Sequence, residues 1–115
     1  MKRVDIYIPE EDLSAVTEIL HKHEVGGITV YDIRGRGKVP HEPVPEIVRN
    51  YMTGKKITPE YLSRRKVEVV VADSQAKFII EALYELQPKR GKVFIHDISE
   101  AHDISNKTSG ESALS

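Results

Sequence analysis

The sequence contains no cysteine, no tryptophan and only two phenylalanines among its 115 residues. Without cysteine, a disulfide framework and a thiolate metal site are both excluded. No apolar run approaches the roughly 20 residues that a membrane-spanning helix needs, and the start of the chain alternates charged and apolar residues, unlike a signal peptide. Seventeen Lys and Arg residues nearly balance eighteen Asp and Glu residues. We therefore expect one soluble, cytoplasmic domain that neither enters a membrane nor binds nucleic acid through its overall charge.

What is present is a pattern of four strands and two helices. Alternating or β-branched residues predict strands at 3–9 (RVDIYIP), 28–36, 66–71 (KVEVVV) and 92–98 (KVFIHDI). Apolar residues at helical spacing predict one helix from Glu10 to the Gly26-Gly27 pair. A second helix is predicted from an N-cap at Asp73 or Ser74 to about Leu86. This β-α-β-β-α-β order predicts an α+β, ferredoxin-like fold, in which a four-stranded antiparallel sheet carries two helices on one face.

The second face of such a sheet needs a cover. We expect residues 4–8 and 67–71 to offer apolar side chains to both sides of the sheet, so that self-association would cover the bare face. We place the domain at residues 1–104. The polar residues 105–115 are expected to form a tail without fixed structure.

The connection between the second and third strands is unusually long. Residues 38–65 separate strands that should form a hairpin, and long connections inside compact domains are usually functional. Residues 38–66 carry seven Lys or Arg against three Glu. The connection begins with RGRGK at 34–38, where Gly35 and Gly37 would let backbone N–H groups approach a phosphate, and Arg36 or Lys38 would add charge.

Four short motifs, in order along the chain, resemble the PII signal-transduction (nitrogen regulatory) family. They are MKRVDIYIP at the start, GGITVYDIRGRGK from Gly26, RRKVEVVV from Arg64 and RGKVFIHDI from Arg90. The resemblance implies a homotrimer that binds an adenine nucleotide (ATP, ADP or AMP) between subunits and catalyses nothing. It also implies that residues 38–65 are the family's T-loop, which controls a target such as an ammonium transporter or a metabolic enzyme.

The resemblance also assigns residues. Those matching the family's nucleotide-binding motifs are Gly27, Thr29, Gly35, Arg36, Gly37, Lys38, Glu68, Gly91, Lys92 and Phe94. Arg64 falls where the family has the lysine that pairs with the effector 2-oxoglutarate. The candidate partner-binding residues of the loop are Arg49, Tyr51, Lys55 and Lys56.

The chain departs from the family pattern at Arg64 and at several further positions. Lys89 stands where the family has the first glycine of its phosphate loop. Val39 replaces a glutamine that helps to hold Mg-ATP and 2-oxoglutarate, and Arg64 keeps a charge but not the geometry of lysine. Asp103 and Ser105 stand near the positions of two phosphate-binding arginines. These departures argue against Mg²⁺ and 2-oxoglutarate as ligands and leave the preferred nucleotide open.

Two alternatives use the same fold and the basic RGRGK region. An acylphosphatase-type protein would need a phosphate-binding loop after the first strand, where this chain has Pro9-Glu10-Glu11. An RNA-binding protein would need aromatic residues on its central strands, where this chain offers Tyr7. The sequence favours the regulator over both.

Overall fold

A computed structural model describes residues 1–36, 61–88 and 90–114 of the chain. The main elements are β1 (Lys2–Pro9), α1 (Leu13–Lys22), β2 (Thr29–Gly35), β3 (Leu62–Val71), α2 (Asp73–Leu86) and β4 (Lys92–Asp97). A short hairpin of β5 (His102–Asp103) and β6 (Thr108–Ser109) follows, and a 3-10 helix at Gly110–Leu114 comes last.

The four long strands form one sheet in the order β2-β3-β1-β4. Every neighbouring pair is antiparallel, with Val4 opposite Val69 on β3 and opposite Ile95 on β4. Along the chain, each helix connects two strands that are not neighbours in the sheet, as the split βαβ arrangement requires. The predicted ferredoxin-like α+β fold is therefore confirmed.

The hydrophobic core lies between the helices and one face of the sheet. Val16 and Leu20 of α1 are buried, and Leu13 and Ile19 pack against them, as the helical spacing predicted. The remaining buried apolar residues come from α2 and from alternate positions of the two central strands: Val4, Ile6, Ile8, Val67, Val69, Val71, Ala76, Ile79 and Leu83.

Several strand ends differ from the sequence prediction by one residue, and three other element boundaries differ for a structural reason. Glu10–Asp12 form a separate 3-10 turn, and the α-helix begins only at Leu13. The N-cap of α2 is Ala72, whose N–H donates to Oε1 of Gln75 at 3.0 Å, so neither Asp73 nor Ser74 is the cap. β3 begins at Leu62, because backbone pairing with β2 continues through charged residues that carry no apolar pattern.

The C-terminal residues also differ from the expected unstructured tail. The N–H of Gly110 donates to the carbonyl of Ala101 at 2.9 Å, and that of Lys107 to the carbonyl of Asp103 at 2.8 Å. Both bonds stabilise the β5-β6 hairpin, in which β5 lies before and β6 after the predicted boundary at residue 104.

Among the described residues, no helix is long and apolar enough to cross a membrane.

Candidate functional site

The face of the sheet that points away from the helices, here called the open face, carries polar side chains from all four strands. Strand alternation puts Arg3, Asp5 and Tyr7 on it, because Val4, Ile6 and Ile8 point into the core. The pairing register aligns these residues in rows across the sheet. One row is Thr29, Glu68, Asp5 and Phe94, and the next is Tyr31, Lys66, Tyr7 and Lys92.

Asp5 is the centre of this face and is only 3% exposed. Its carboxylate accepts hydrogen bonds from Nε and Nη2 of Arg3, both at 3.2 Å. Nε2 of His96 lies 3.1 Å away, and Nζ of Lys66 lies 3.9 Å away. A carboxylate removed from water is stable only when it is paired in this way.

Glu68 extends the same network toward β2. It lies 3.4 Å from Nζ of Lys66 and accepts a hydrogen bond of 3.3 Å from the hydroxyl of Tyr31. The ammonium group of Lys66 also lies over the rings of Tyr31 and Tyr7, at 5.0 and 5.9 Å from their centroids. Burial alone would lower the pKa of Lys66, but the charges of Asp5, Tyr7 and Glu68 outweigh it and raise that pKa above its ordinary value.

The prediction that residues 4–8 and 67–71 offer apolar side chains to both sides of the sheet is confirmed only in part, because the open face carries Tyr7 and Val70 from these ranges but also Asp5 and Glu68. The open-face side chains of these strands include Arg3, Asp5, Lys66 and Glu68. The signal was present in the sequence, because the alternation that puts valines and isoleucines on one face puts these charges on the other. What the sequence did not show was their pairing, which depends on the register between strands far apart in the chain.

One half of the predicted nucleotide site lies at the β2 edge. Thr29 is the register partner of Glu68, and a Cβ added at Gly27 would meet no described atom within 4 Å. Gly35 ends β2 opposite Leu62, and Arg36 follows it. These residues form the base from which the long connection leaves the sheet.

Arg64, the predicted effector residue, crosses that base. A Cβ at Gly35 would lie 2.7 Å from Cδ and 2.8 Å from Nε of Arg64. The arginine stem therefore lies against bare backbone at the end of β2, and only glycine leaves room for it there. The structure gives Arg64 no ion pair with any residue in the described ranges.

The other half of the predicted site lies at the β4 edge. Lys92 is exposed and pairs with Tyr7 in the register. Phe94 is half exposed, and its ring meets that of Tyr7 edge-on with centroids 5.6 Å apart. Gly91 packs closely, since a Cβ there would lie 3.4 Å from both Pro88 Cγ and the carbonyl oxygen of Tyr7.

Six predicted residues lie outside the described residues: Gly37, Lys38, Arg49, Tyr51, Lys55 and Lys56. Val39 and Lys89, two of the departures from the family pattern, lie outside them as well. Among the described residues, no three His, Asp or Glu side chains are placed to hold a metal ion.

Asp103 stands near a position where the resemblance implied a phosphate-binding arginine. Its carboxylate accepts hydrogen bonds from the N–H groups of Ser105 at 2.9 Å and Asn106 at 3.1 Å. The Asn106 and Ser105 amides hold the pKa of Asp103 below its ordinary value. This carboxylate organises its own turn and stays ionised, so it would repel a phosphate.

The two alternative functions find little support in this geometry. Arg65 lies beside the β1-α1 turn, but it is paired with Glu10 at 2.6 Å and with Asp32 at 3.2 Å, so it is not available as an acylphosphatase anion site. On the open face, Asp5 and Glu68 lie among the aromatic rings, where they would repel an RNA backbone.

The fold and this face define a ferredoxin-like α+β protein with a long connection between its second and third strands. Residues 1–108 match the family described as Nitrogen regulatory protein P-II. The chain is 31% identical to the Nitrogen regulatory protein P-II of Rhizobium meliloti, 30% to that of Rhodospirillum rubrum and 29% to that of Azospirillum brasilense. Each alignment covers 99% of this chain and 100% of the relative. The chain belongs to the nitrogen regulatory protein P-II family, which confirms the resemblance.

Proposed function

We propose that the protein is a trimeric nitrogen-regulatory signal transducer that binds an adenine nucleotide between subunits and controls a target protein through its long connection. The relatives are named as nitrogen regulatory proteins, and we extend that role to this chain. We expect it to act in the cytoplasm, on a target such as an ammonium transporter or a metabolic enzyme, and to catalyse no reaction.

One observation carries the intersubunit site. The predicted nucleotide-binding residues divide between β2-β3 and β4, which lie at opposite sides of the sheet. Two strand spacings separate β3 from β4 and three separate β2 from β4, so the two halves are about 10 to 14 Å apart on one chain. A second copy can bring its β4 half against the β2 half of the first.

The two halves offer different chemistry. Thr29 and Glu68 supply a hydroxyl and an acceptor that suit the polar edges of a base or a ribose. Lys92 supplies an ammonium group for phosphate, and the half-exposed ring of Phe94 offers an apolar surface. These residues fit a nucleotide, although the phosphate would have one cation fewer than in the family pattern, because Asp103 stands near the position of a phosphate-binding arginine.

Control of the target would follow from the position of the strand ends. Gly35 and Leu62 form the last register pair before the long connection, and Arg64 crosses that point. A ligand contacting Gly35, Arg36 or Arg64 would favour one arrangement of the connection between β2 and β3 over others. It would regulate only to the extent that it binds that arrangement more tightly. We expect Mg²⁺ and 2-oxoglutarate to contribute little, because Val39 offers no ligand atom.

Calorimetric titration tests the proposal. The intact protein is titrated with ATP, ADP and AMP, each with and without Mg²⁺ and 2-oxoglutarate. We expect micromolar binding of at least one nucleotide and a loss of about tenfold or more in Lys92→Ala, since a charge-assisted contact contributes about 1.5–3 kcal/mol. Lys77→Ala, which removes an exposed lysine of α2, is the matched control. Absence of binding by all three nucleotides, or equal losses in both variants, would overturn the nucleotide site.

A further inference from the structure

An apolar slot opens on the helix side of the sheet, between the C-terminal half of α2 and the start of β4. Its volume is about 210 Å³. Buried side chains of Ile6, Ile8 and Leu83 line its inner part, and half-buried Ile80 and Val93 line its rim. The predicted nucleotide-binding residues of β2 and β3 belong to the open face, on the other side of the sheet, so the slot is a separate cavity.

The walls of the slot are already in place without a ligand. Pro88 and Gly91 both line it, and the ring of Pro88 fixes its own φ. A Cβ at Gly91 would lie 3.4 Å from Cγ of Pro88 and 3.4 Å from the carbonyl oxygen of Tyr7, so the backbone packs closely where it enters β4. A ligand would therefore bind to a preformed cavity, which lowers the cost of ordering the site.

The volume of the slot limits the size of its occupant. A cavity of about 150 Å³ accepts a benzene molecule, so 210 Å³ corresponds to an apolar body of about six to eight carbon atoms. Pockets for drug-sized ligands begin at about 300 Å³. The slot is therefore too small to enclose a nucleoside and suits a smaller molecule.

The polar groups at the mouth of the slot favour an anion. Lys92 and the exposed Tyr84 line it, and none of the described residues around it is an Asp or a Glu. Lys92 has no ion pair within the described part of the chain. An ammonium group that a bound ligand shields from water needs an anionic partner, and a carboxylate accepts charge-assisted hydrogen bonds from such a group. An amine would be repelled by Lys92.

Lys92 also belongs to the predicted nucleotide site, where its ammonium group would contact a phosphate. It is the first residue of the edge strand β4 and is paired with Tyr7 in the register. Its flexible four-carbon stem lets the ammonium group turn toward the slot or toward the open face. A carboxylate in the slot and a phosphate on the open face would therefore compete for it, and each would weaken the other to the same extent.

We propose that the slot is a second ligand site, which takes a small organic acid with a compact apolar body and one carboxylate. The apolar body lies between α2 and β4, and the carboxylate pairs with Lys92. The bound acid draws Lys92 away from the nucleotide and so lowers the affinity for it. The acid site goes beyond the proposed function, and only its effect on nucleotide binding rests on that function.

Calorimetric titration of the intact chain without nucleotide compares isocaproate, its uncharged amide and acetate. We expect isocaproate to saturate one site per chain. The amide should bind about tenfold more weakly or worse, because it loses the charge-assisted contact. Acetate is shorter by four carbon atoms, and each buried methylene contributes about fourfold, so it should bind at least about 50-fold more weakly. No saturable binding of isocaproate, or equal binding of either comparison compound, would overturn the proposal.

Methyl NMR of the wild-type chain locates the bound acid. We expect isocaproate to shift the methyl signals of Ile80, Leu83 and Val93, which line the slot. The signals of Val16 and Leu20, which belong to the core on α1, should stay unchanged. Shifts that leave the slot residues unaffected would place the acid elsewhere and overturn the proposal.

A variant that fills the slot provides a second test. Ile80→Trp adds volume at the rim and should weaken isocaproate binding about tenfold or more. Phe78→Trp, on the same helix beside His23, is the matched control and should bind as the wild type does. Circular dichroism checks that both fold, and the NMR result decides if Ile80→Trp does not. Equal affinity in two folded variants would overturn the slot.

Nucleotide titration with and without saturating isocaproate separates this inference from the proposed function. We expect the acid to raise the dissociation constant of the nucleotide about tenfold. If a nucleotide binds and isocaproate does not, the slot is overturned and the nucleotide site stands. If isocaproate binds and no nucleotide does, the nucleotide site is overturned and the slot stands. Independent binding of both would overturn the competition for Lys92.

Discussion

At the scale of single residues, Asp5 shows how neighbouring cations stabilise a buried carboxylate on one face of a sheet. It is almost fully buried and faces three cationic or titratable side chains. Its removal would leave Arg3 and Lys66 with Glu68 as their shared carboxylate, at 3.8 and 3.4 Å. Because both cations keep some contact with water, the cost should fall below that of a fully buried pair.

We expect Asp5→Ala to lower the free energy of unfolding by about 2–3 kcal/mol, measured by urea denaturation. Asp32→Ala provides the control, because the Asp32 side chain is 82% exposed and its ion pair with Arg65 lies at the surface. Such pairs contribute at most about 1 kcal/mol. Equal losses in the two variants would show that the open-face network has no special role in stability.

Gly35 and Arg64 form a second residue-scale pair, linked by close packing. Gly35→Ala should gain about 0.5–1 kcal/mol by restricting the unfolded chain. It should lose a similar amount by forcing the Arg64 stem out of its position. We therefore expect almost no net change in the wild-type background and a clear gain in the Arg64→Ala background.

A double-mutant cycle followed by urea denaturation measures this coupling, which we expect to be about 1 kcal/mol. Additive effects of Gly35→Ala and Arg64→Ala would mean that the arginine does not lie across the strand end.

At the scale of elements, both helices end on a non-glycine residue in the left-handed region. Glu24 has φ 57° after α1, and Gln87 has φ 51° after α2. Side chains with a Cβ are strained in this region, where glycine is not. The Gly26-Gly27 pair, predicted to stop the first helix, lies two residues too late to relieve that strain.

We expect Glu24→Gly to raise the free energy of unfolding by about 0.5–1 kcal/mol. The same substitution at Glu18, inside α1 and within 3.9 Å of Lys22, should lower it by about 1 kcal/mol. Thermal unfolding of the two variants gives the comparison. A loss of stability in Glu24→Gly would show that the positive φ of Glu24 does not strain the end of α1.

Sequence periodicity predicted the elements well, because each apolar pattern is local. The core positions Val16, Leu20 and Ile79 could be read from helical spacing alone. Strand register is not local, so the contact between Asp5 and His96, 91 positions apart in the chain, could not be predicted. The start of β3 was missed for a related reason, since Ser63 and Arg64 pair through their backbone and show no apolar alternation.

At the scale of the whole molecule, the sheet ends in two edge strands, β2 and β4, which no other described strand pairs with on their outer side. Val30 on β2 and Ile95 on β4 point to the helix side yet are about 40% exposed, at 42% and 41%, because the helices cover mainly the central strands. This surface is suited to self-association. Burial of the apolar edges would drive the association, and the charges of the open face would fix how the copies align.

Phe94 and Phe78, the only two phenylalanines of the chain, lie on opposite layers of the fold. Phe94 on the open face is 50% exposed, and Phe78 on α2 is 55% exposed, stacked beside His23 with ring centroids 6.5 Å apart. If self-association covers the open face, Phe94→Ala should weaken it, because burying a phenylalanine contributes about 1.5–3 kcal/mol. That corresponds to a dissociation constant raised about 10- to 100-fold, whereas Phe78→Ala should leave it unchanged. Sedimentation equilibrium measures both, and a larger effect of Phe78→Ala would place the interface on the helical layer instead.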